Sequence, residues 1–399
     1  MKKILLVINT LGKAGAEKAL IEMIKSIDPS EYEMSLYVIL GQGEMIKEIP
    51  PYVKILNKEY SPVSVLDREG KKILKKNIFK RLFRNKSIFK NFFYLVSITL
   101  SMVFKGKINA DKLLWKTMSD GGEFFDEEYD LAVAYLEGGA TYYVKDHVNA
   151  KKKAAFVHID YGMAGYTRKI DRNAYLFFDR IFTVSSEVRD SFLKVYGECS
   201  DKTEVFDNII NGSEIIEKSL LGNGFEDGFD GKRILTVGRL TTQKAFEISI
   251  ETLSILKEKG CNVRWYVLGE GDQRKKLEDL IEKKNLKDDF ILFGAVDNPY
   301  PYMKQCDLYV HASRFEGKSI AVREAQVLGK PIIVSDCNGN REQVENKKDG
   351  LISKLDSAEL AGTIEILLND EKLGRQLGAM AAQKNNGEND LKKLLGLIG

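Results

Sequence analysis

Short apolar runs rich in β-branched residues alternate along the chain with segments whose apolar residues recur at helical spacing. This alternation predicts βαβ units and a parallel, doubly wound sheet. The runs of the first half are KILLVIN at 3–9, EMSLYVIL at 33–40, DLAVAYL at 130–136, KAAFVHI at 153–159 and RIFTVS at 180–185. The rhythm restarts at 233 with RILTVG, RWYVLG, FILFG, DLYVHA and PIIVSD. Two such α/β domains in tandem are expected to place a ligand cleft between them.

The joint between the domains is predicted within LLGNGFEDGFDGKR at 220–233, which is rich in Gly and acidic residues and has no periodicity. A chain of 399 residues also exceeds the size at which one core usually keeps growing. We therefore expect a first domain at 1–228 and a second at 229–385. The tail at 386–399 is either a last helix packed on the first domain or a frayed end.

Composition narrows the class of protein. A net charge of only +3 gives no support to a nucleic-acid partner. Four scattered cysteines without a C-x-x-C pair disfavour structural zinc and disulfide bonds and fit a reducing cytosol. The first apolar run stops at Asn9, too early for a signal peptide, and the run at 92–104 falls short of the roughly 20 residues that a spanning helix needs. A cytoplasmic protein is expected.

One segment breaks the rhythm of strands and helices. Between Arg68 and Lys90 there are ten Lys or Arg residues against a single acid, Glu69. Apolar residues at spacings of three to five lie among them, which predicts one helix with an apolar and a cationic face. Such a helix either packs its apolar stripe on the first domain or lies on a membrane surface, followed by an apolar docking stretch at 92–104. In the second case the segment 68–104 would bind anionic lipid, and each cation would add roughly 1 kcal/mol.

Two glutamates carry the strongest chemical signal of the second domain. Glu316 lies in the loop after the run DLYVH, and Glu324 lies in a helix expected to begin near Ser319. On that helix Glu324 falls about one turn beyond its start, so it can face a ligand held at the N-terminus. Gly317 lets the backbone approach the ligand, and the N–H groups of Ser319 and Ile320 would receive a diphosphate. A capped helix with ordinary surface acids is the alternative.

A second motif, GRLTTQKA at 238–245, directly follows the run RILTV. Arg239 can hold a phosphate through two parallel hydrogen bonds, and Lys244 adds a second positive charge. This loop and the Glu316 loop both leave the carboxyl ends of strands in one predicted sheet, where open α/β folds bind ligands. Taken alone, the motif could equally be a strand end with solvated basic residues. We expect Arg239, Lys244 and Glu316 to be exposed residues that line the cleft.

These motifs resemble family-4 glycosyltransferases of the GT-B fold, bacterial enzymes that build capsule, exopolysaccharide and other surface glycans. The family pattern G-R-L-x-x-x-K-G, G-E-G, E-x(7)-E and G-x-P-x-(I/V) is met by Gly238, Arg239, Leu240 and Lys244, by Gly269, Glu270 and Gly271, by Glu316 and Glu324, and by Gly329, Pro331 and Ile332. The first half resembles the family through GAEKAL at 15–20, YDLAVAYLEG at 129–138, KKKAAFVHIDY at 151–161, TVSSEV at 183–188 and VFDNII at 205–210. Two departures are Ala14 and Ala245, which stand where glycine is usual.

The resemblance implies two Rossmann-like domains that face each other across a cleft, with a nucleotide-sugar donor bound by the second. Arg239 and Lys244, beside Gly238, would bind the donor diphosphate. Glu316 would bind the sugar hydroxyls, and Glu324 the ribose hydroxyls.

The resemblance also assigns residues of the first domain to the site. His158 would lie under the reacting sugar and share the catalytic role with Arg239, Lys244 and Glu316. Asp160 and Gly15 would line the cleft on the acceptor side. Without the family pattern, a lone histidine at a strand end is more often structural.

The implied activity is that of a retaining hexosyltransferase with a nucleotide-sugar, expected to be a UDP-sugar, as substrate and with no cofactor. No D-x-D occurs in the chain. Charge on the leaving diphosphate would therefore be neutralised by side chains and a helix N-terminus instead of a metal ion. The acceptor would be a glycan or polyprenyl-linked glycan at the inner face of the cell membrane. A nucleotide-sugar epimerase, a phosphorylase of the same fold and a membrane-surface scaffold without activity are the alternatives.

Overall fold

The chain folds into two compact units. The computed structural model describes residues 1–104, 110–162, 164–384 and 388–399. One unit comprises Met1–Ile209 with Gly387–Gly399, and the other comprises Ile210–Asn386. Each is an α/β structure built on one sheet of parallel strands. The prediction of two doubly wound, Rossmann-like domains is therefore confirmed.

The sheet of the first unit has seven strands in the order β3-β2-β1-β4-β5-β6-β7. The strands are β1 (Lys2–Ile8), β2 (Tyr32–Val38), β3 (Lys54–Ile55), β4 (Glu128–Ala134), β5 (Asn149–Val157), β6 (Arg180–Thr183) and β7 (Thr203–Val205). The helices are α1 (Gly15–Lys25), α2 (Arg68–Phe83), α3 (Ser87–Lys90), α4 (Phe92–Phe104), α5 (Ala110–Asp120), α6 (Gly139–His147), α7 (Arg168–Asp171) and α8 (Ser186–Leu193). The residues from Ile4 to Ile8 are fully buried, as in a parallel strand that is covered on both faces.

The sheet of the second unit has six strands in the order β10-β9-β8-β11-β12-β13. The strands are β8 (Lys232–Val237), β9 (Val263–Leu268), β10 (Phe290–Gly294), β11 (Leu308–His311), β12 (Ile332–Ser335) and β13 (Leu351–Ser353). The helices are α9 (Gly212–Lys218), α10 (Phe246–Glu258), α11 (Arg274–Lys283), α12 (Tyr300–Gln305), α13 (Ile320–Val327), α14 (Asn338–Gln343), α15 (Ser357–Asn369) and α16 (Glu371–Ala382). β8 lies in the interior of this sheet, between β9 and β11.

The boundary between the units lies at 209/210, earlier than the position 228 suggested by the sequence. Helix α9 is part of the second unit, where the side-chain amide of Asn298 donates a hydrogen bond of 2.8 Å to the carbonyl of Lys218. The glycine-rich stretch that follows is also tied to this unit, because the ring of Phe225 lies 4.5 Å from that of Tyr266. Low periodicity at 220–233 therefore marks an anchored irregular segment.

The C-terminal tail belongs to the first unit, one of the two arrangements that the sequence left open. Its helix α17 (Glu388–Leu395) buries Leu394 completely. The ammonium of Lys393 donates a hydrogen bond of 3.2 Å to the carbonyl of Val205 at the end of β7. The first residues of the predicted tail, up to 387, lie outside the described residues.

The basic segment forms several helices, so the expectation of one continuous helix between 68 and 90 is wrong. Helix α2 ends at Phe83, and Asn85 and Lys86 follow with φ of 54° and 57°, in the left-handed region that interrupts a helix. The prediction that the cations share a solvated face fails at one position. Arg81 is buried, and its guanidinium lies 3.7 Å from the carboxylate of Glu123.

We predict that Leu394→Ala destabilises the first unit by about 2–4 kcal/mol, because it deletes a fully buried side chain from the packed tail. Urea unfolding, followed by signals that distinguish the two units, measures the effect. Lys392→Ala, an exposed position on the same helix, is the matched control. Equal unfolding midpoints for the Leu394 variant and wild type would mean that the tail contributes nothing to the first unit.

Candidate functional site

Two loops at one edge of the second sheet bring the candidate residues together. Strands β8 and β11 are parallel neighbours, so their carboxyl ends lie side by side. The loop 238–245 follows β8 and the loop 312–319 follows β11. The backbone N–H of Arg314 donates to the carbonyl of Gln243 at 2.8 Å, and the amide of Gln243 donates to the carbonyl of Phe315 at 2.8 Å. The two motifs therefore form one structural site.

Lys244 and Glu316 form a salt bridge that is nearly closed off from solvent. Lys244 Nζ contacts Glu316 Oε1, and the two side chains are 13% and 8% exposed. Ser313 Oγ donates to the same oxygen at 2.7 Å, and Gln243 Nε2 donates to Oε2 at 3.4 Å. Burial by itself raises the pKa of Glu316, but the Lys244 ammonium and a bond to a histidine hold that pKa well below its usual range. The expectation that Glu316 and Lys244 are exposed is therefore wrong.

The histidine of this cluster is His311, which the sequence analysis did not single out. It is the last residue of β11 and is 1% exposed. Its Nε2 lies 3.1 Å from Oε1 of Glu316 and 3.0 Å from Nζ of Lys244. Burial and the charge of Lys244 lower its pKa, so the ring is neutral at pH 7. Its place at the end of the run DLYVH, five residues before Glu316, is the signal that could have identified it.

Arg239 is the exposed cation of the site, as expected. Within the described part of the chain, its guanidinium donates no hydrogen bond and forms no salt bridge. A Cβ added at its neighbour Gly238 would come within 3.6 Å of Lys244 Cε, so the Lys244 side chain passes close to Gly238. A Cβ at Gly269 would lie 2.0 Å from the Gly238 carbonyl, so the G-E-G loop packs directly on the Arg239 loop.

The two departures from the family pattern have different structural consequences. Ala245 has φ 47° and ψ 38°, the left-handed conformation that glycine adopts without strain. It is buried and joins Lys244 to α10, so the chain keeps the turn at a cost of roughly 1–2 kcal/mol. Ala14 has φ −137° and ψ 171°, which any residue adopts. Only the first departure stores strain.

The N-terminus of α13 differs from the expectation at one donor. The helix begins directly after Ser319, close to the expected position, but the Ser319 N–H donates to the side-chain oxygen of Gln343 at 2.6 Å and is not free for a diphosphate. The amide of Gln343 returns a bond of 2.9 Å to the Ser319 carbonyl. Gly317 contacts α14, because a Cβ at Gly339 would overlap the Gly317 carbonyl. The N–H of Ile320 is thus the stronger of the two candidate donors.

Glu324 lies on the buried face of α13. Its Oε1 accepts a hydrogen bond of 3.0 Å from the hydroxyl of Tyr300 on α12. The sequence placed Glu324 one turn beyond the helix start, and the structure agrees. The ligand role expected of it is not tested by this contact.

In the first unit, His158 directly follows β5, and its ring lies 5.0 Å from that of Tyr135. Burial lowers its pKa to about 4, and a hydrogen bond with the Tyr135 backbone partly opposes that shift. Its Nε2 is buried and has no hydrogen-bond partner among the described residues. The ring is therefore neutral at pH 7.

Other groups at this edge of the first sheet include one that the sequence analysis missed. Glu137 is buried and follows β4, and its carboxylate accepts a hydrogen bond of 3.2 Å from the N–H of His158. Asp160 accepts a hydrogen bond of 2.6 Å from the hydroxyl of Ser191. Gly15 is the first residue of α1. Glu137 appears within the quoted segment YDLAVAYLEG, but nothing in its spacing marks it.

Comparison with known proteins connects the second unit to a family. Residues 226–384 match the profile of a family described as Glycosyl transferases group 1. An N-acetylgalactosamine-N,N'-diacetylbacillosaminyl-diphospho-undecaprenol 4-alpha-N-acetylgalactosaminyltransferase of Campylobacter jejuni is 24% identical over 379 residues, 94% of this chain and 92% of that protein. An uncharacterized glycosyltransferase of Methanocaldococcus jannaschii is 28% identical over 189 residues. That match spans 46% of each chain, so the chain covers less than half of this relative.

A solved structure resembles the chain over nearly its whole length. It is Anabaena HepE in complex with UDP and glucose, with a TM-score of 0.67, 18% sequence identity and coverage of 99% of this chain and 98% of that one. At this identity the likeness bears on the fold alone. It supports the two-domain α/β architecture predicted from the sequence.

We predict that Glu316→Gln destabilises the second unit by about 3 kcal/mol at pH 7, because Lys244 loses a buried charged partner. The pKa of Glu316 is lower in the folded chain than its ordinary value of 4.5. Its ionised form therefore stabilises the fold above that value, and the contribution is lost as the pH falls below it. In urea unfolding, the gap between wild type and variant should narrow between pH 7 and pH 3. The exposed Glu258→Gln is the control, and a gap independent of pH would contradict an ionised Glu316.

Proposed function

We propose a specific reaction for this chain, a glycosyltransferase whose residues 226–384 form a glycosyl transferases group 1 domain. The proposed enzyme is a retaining hexosyltransferase that takes its sugar from a nucleotide-sugar and uses neither a metal ion nor a cofactor. The observation that carries the proposal is the exposed guanidinium of Arg239, which has no partner among the described residues, in the loop that also brings Lys244 to Glu316 at the carboxyl ends of β8 and β11.

Two cations at this edge suit a leaving diphosphate. The exposed Arg239 can bind a phosphate through two hydrogen bonds, and Lys244 follows five residues later in the same loop. Fixed positive charge placed where negative charge develops lowers the barrier to sugar transfer. The N–H of Ile320 adds a donor at the N-terminus of α13. These groups together can take the part that a divalent metal plays at other diphosphate sites.

The retaining outcome is proposed from the family resemblance and fits the state of Glu316. The oxygens of Glu316 already accept hydrogen bonds from Lys244, Ser313 and Gln243. A carboxylate engaged in this way is better placed to orient sugar hydroxyls than to attack the anomeric carbon. The leaving phosphate would then take the proton of the acceptor hydroxyl, so that no protein nucleophile is required.

Uridine and a lipid-linked glycan are proposed as the donor base and the acceptor carrier. HepE, which shares the fold, was crystallised with UDP and glucose. The Campylobacter jejuni relative, which matches almost the full chain, carries diphospho-undecaprenol in its name. By this analogy the chain acts in surface-glycan synthesis. An epimerase, the main alternative, would turn over the sugar nucleotide with no acceptor present.

The first unit carries an apolar surface that fits a membrane-bound acceptor. Helix α4 packs inward through Ile98 and Met102, while its outward face is also apolar. The exposed residues of that face are Phe92, Phe93, Val96, Leu100 and Val103, and Phe79, Phe83 and Phe89 are exposed in the preceding helices. A surface this rich in aromatic residues is unusual for a face left in water. Within the described ranges, no helix is long and apolar enough to cross a bilayer.

The positive charge around this apolar surface favours an anionic bilayer as its partner. Eight cations of the same segment are exposed: Arg68, Lys71, Lys72, Lys75, Lys76, Lys80, Lys86 and Lys90. Apolar side chains bordered by cations match the headgroup and acyl layers of an anionic leaflet. We propose that 68–104 holds the protein at the inner face of the cell membrane, where a polyprenyl-linked acceptor is presented. Ile78 and Leu82, which pack on the core, take no part in the contact.

We predict that Arg239→Ala lowers the rate of sugar transfer on the order of 100-fold, because one fixed charge on the leaving diphosphate is lost. The melting temperature should stay at the wild-type value, since the side chain is exposed and unpaired. Arg341→Ala, an exposed arginine of the same unit, is the control. Wild-type turnover in the Arg239 variant would rule out the assigned donor site.

Removal of divalent metal with EDTA is predicted to leave the initial transfer rate within about twofold of the rate without EDTA, since arginine, lysine and a helix end supply the positive charge. Single-turnover measurements separate the chemical step from product release. Loss of the single-turnover rate with recovery on adding magnesium or manganese would contradict the metal-free mechanism.

Membrane docking through 68–104 is tested by sedimentation with two types of vesicle, one of phosphatidylglycerol and one of phosphatidylcholine. Lys75→Gln, Lys76→Gln and Lys90→Gln are predicted to weaken binding roughly fivefold per cation at low salt. Phe93→Ser with Leu100→Ser should weaken binding to both vesicle types and slow transfer to a lipid-linked acceptor, while hydrolysis of the donor is spared. Leu220→Ser is the control, because it is exposed on the other unit. Wild-type protein that stays in the supernatant would contradict membrane docking.

A further inference from the structure

The carboxylate at the centre of the donor site has an excess of hydrogen-bond donors on one oxygen. Oε1 of Glu316 is contacted by Lys244 Nζ, by Ser313 Oγ at 2.7 Å and by His311 Nε2 at 3.1 Å. A carboxylate oxygen offers about two lone-pair directions. Lys244 is therefore one of several partners, and Glu316 can remain hydrogen-bonded when one of them leaves.

The position of the proton on His311 follows from the partners of its two ring nitrogens. Nδ1 is buried and has no hydrogen-bond partner among the described residues. A buried N–H without an acceptor is rarer and more costly than a buried lone pair without a donor. These costs favour the tautomer with the proton on Nε2. In that tautomer the Nε2–H donates to Glu316, since the Lys244 ammonium has no lone pair, and the 3.0 Å approach of Lys244 Nζ to Nε2 is a contact without a hydrogen bond.

In the proposed function, Lys244 can pair with either of two anions, the Glu316 carboxylate or the donor diphosphate. It pairs with Glu316, and a donor diphosphate would compete for the same ammonium. A carboxylate as buried as Glu316 cannot be left with an unbalanced charge at low cost. The hydrogen bonds that Glu316 keeps when Lys244 turns away therefore decide how easily Lys244 can bind a diphosphate.

We propose that His311 is a positioning residue that keeps Glu316 ionised and in place while Lys244 turns toward an anionic diphosphate. The link to a diphosphate rests on the proposed function, and the hydrogen bond from His311 to Glu316 does not. The ring is held for this role, because it lies parallel to the Tyr309 ring at 6.2 Å and is buried at the end of β11. Ser313, a second neutral donor, supports the same oxygen.

The tautomer of His311 is tested by nitrogen NMR of the whole chain labelled at histidine. The chain has only three histidines, and His311→Gln identifies the signals of residue 311. The expected result for the ligand-free protein is a neutral ring with its proton on Nε2. A ring protonated on Nδ1, or a charged ring at pH 7, would overturn the proposal.

A double-mutant cycle tests the shared support of Glu316 without any ligand. Lys244→Met and His311→Leu should each lower the urea midpoint of the second unit. The double variant should lower it by more than the sum, because both large donors to Glu316 are then gone. His311→Gln places an amide N–H near the position of Nε2 and should restore additivity in the Lys244→Met background. Additive shifts with His311→Leu would overturn the proposal.

Binding of UDP, measured by calorimetry, tests the release of Lys244. His311→Leu should weaken UDP on the order of tenfold or more, because Lys244 is then retained by Glu316. His311→Gln should stay within about threefold of wild type. A His311→Leu protein that binds UDP like wild type would overturn the proposal. If wild type itself binds no UDP, the donor assignment fails, while the NMR and the double-mutant cycle still decide the role of His311.

Discussion

A negative charge is kept inside the second unit, and the placement of the neighbouring site residues follows from that requirement. Glu316 lies in the loop after β11 with a side chain only 8% exposed, and it stays ionised because Lys244, Ser313 and His311 surround one of its oxygens. Directly after Lys244, the chain turns at Ala245 in a left-handed conformation. Arg239, which lies in the same loop as Lys244, remains exposed and can meet an incoming anion.

The edge of the sheet makes this arrangement possible. Because β8 and β11 are parallel neighbours, two loops that are far apart in the sequence start from adjacent points. The loops are joined by hydrogen bonds through Gln243, and α13 is held at its N-cap by Gln343. These hydrogen bonds hold the backbone around the proposed donor site, whereas the Arg239 side chain is exposed.

The strands and their loops were predictable from the sequence because buried parallel strands are uninterrupted apolar runs. Strands β3, β7 and β13 were not predicted, since two or three residues are too few to show a pattern. The loops were placed correctly, but the burial of Glu316 and the bond between Ser319 and Gln343 depend on residues distant in sequence. His311 was missed for a different reason, because within its run it looks like one more strand residue, although it lies only five residues before Glu316.

In the basic segment too, the burial of individual side chains could not be predicted from the sequence. Its composition predicted an amphipathic helix, yet which aromatic residues face outward is set by the turn at Asn85 and Lys86 and by the packing of Ile98 and Met102. Helix α4 also contacts the chain beyond His158, since the hydroxyl of Tyr94 donates a hydrogen bond of 2.9 Å to the carbonyl of Ile170. The apolar outer face and the His158 side of the first unit are thus parts of one packed structure.

The central claim is that the edge formed by β8 and β11 binds the diphosphate of a nucleotide-sugar. A crystal structure of the chain with bound UDP tests it most directly. The account predicts diphosphate oxygens about 2.7–2.9 Å from the guanidinium of Arg239 and the ammonium of Lys244, with Glu316 still bonded to His311. A diphosphate bound elsewhere, with the Lys244–Glu316 pair undisturbed and Arg239 in solvent, would contradict it.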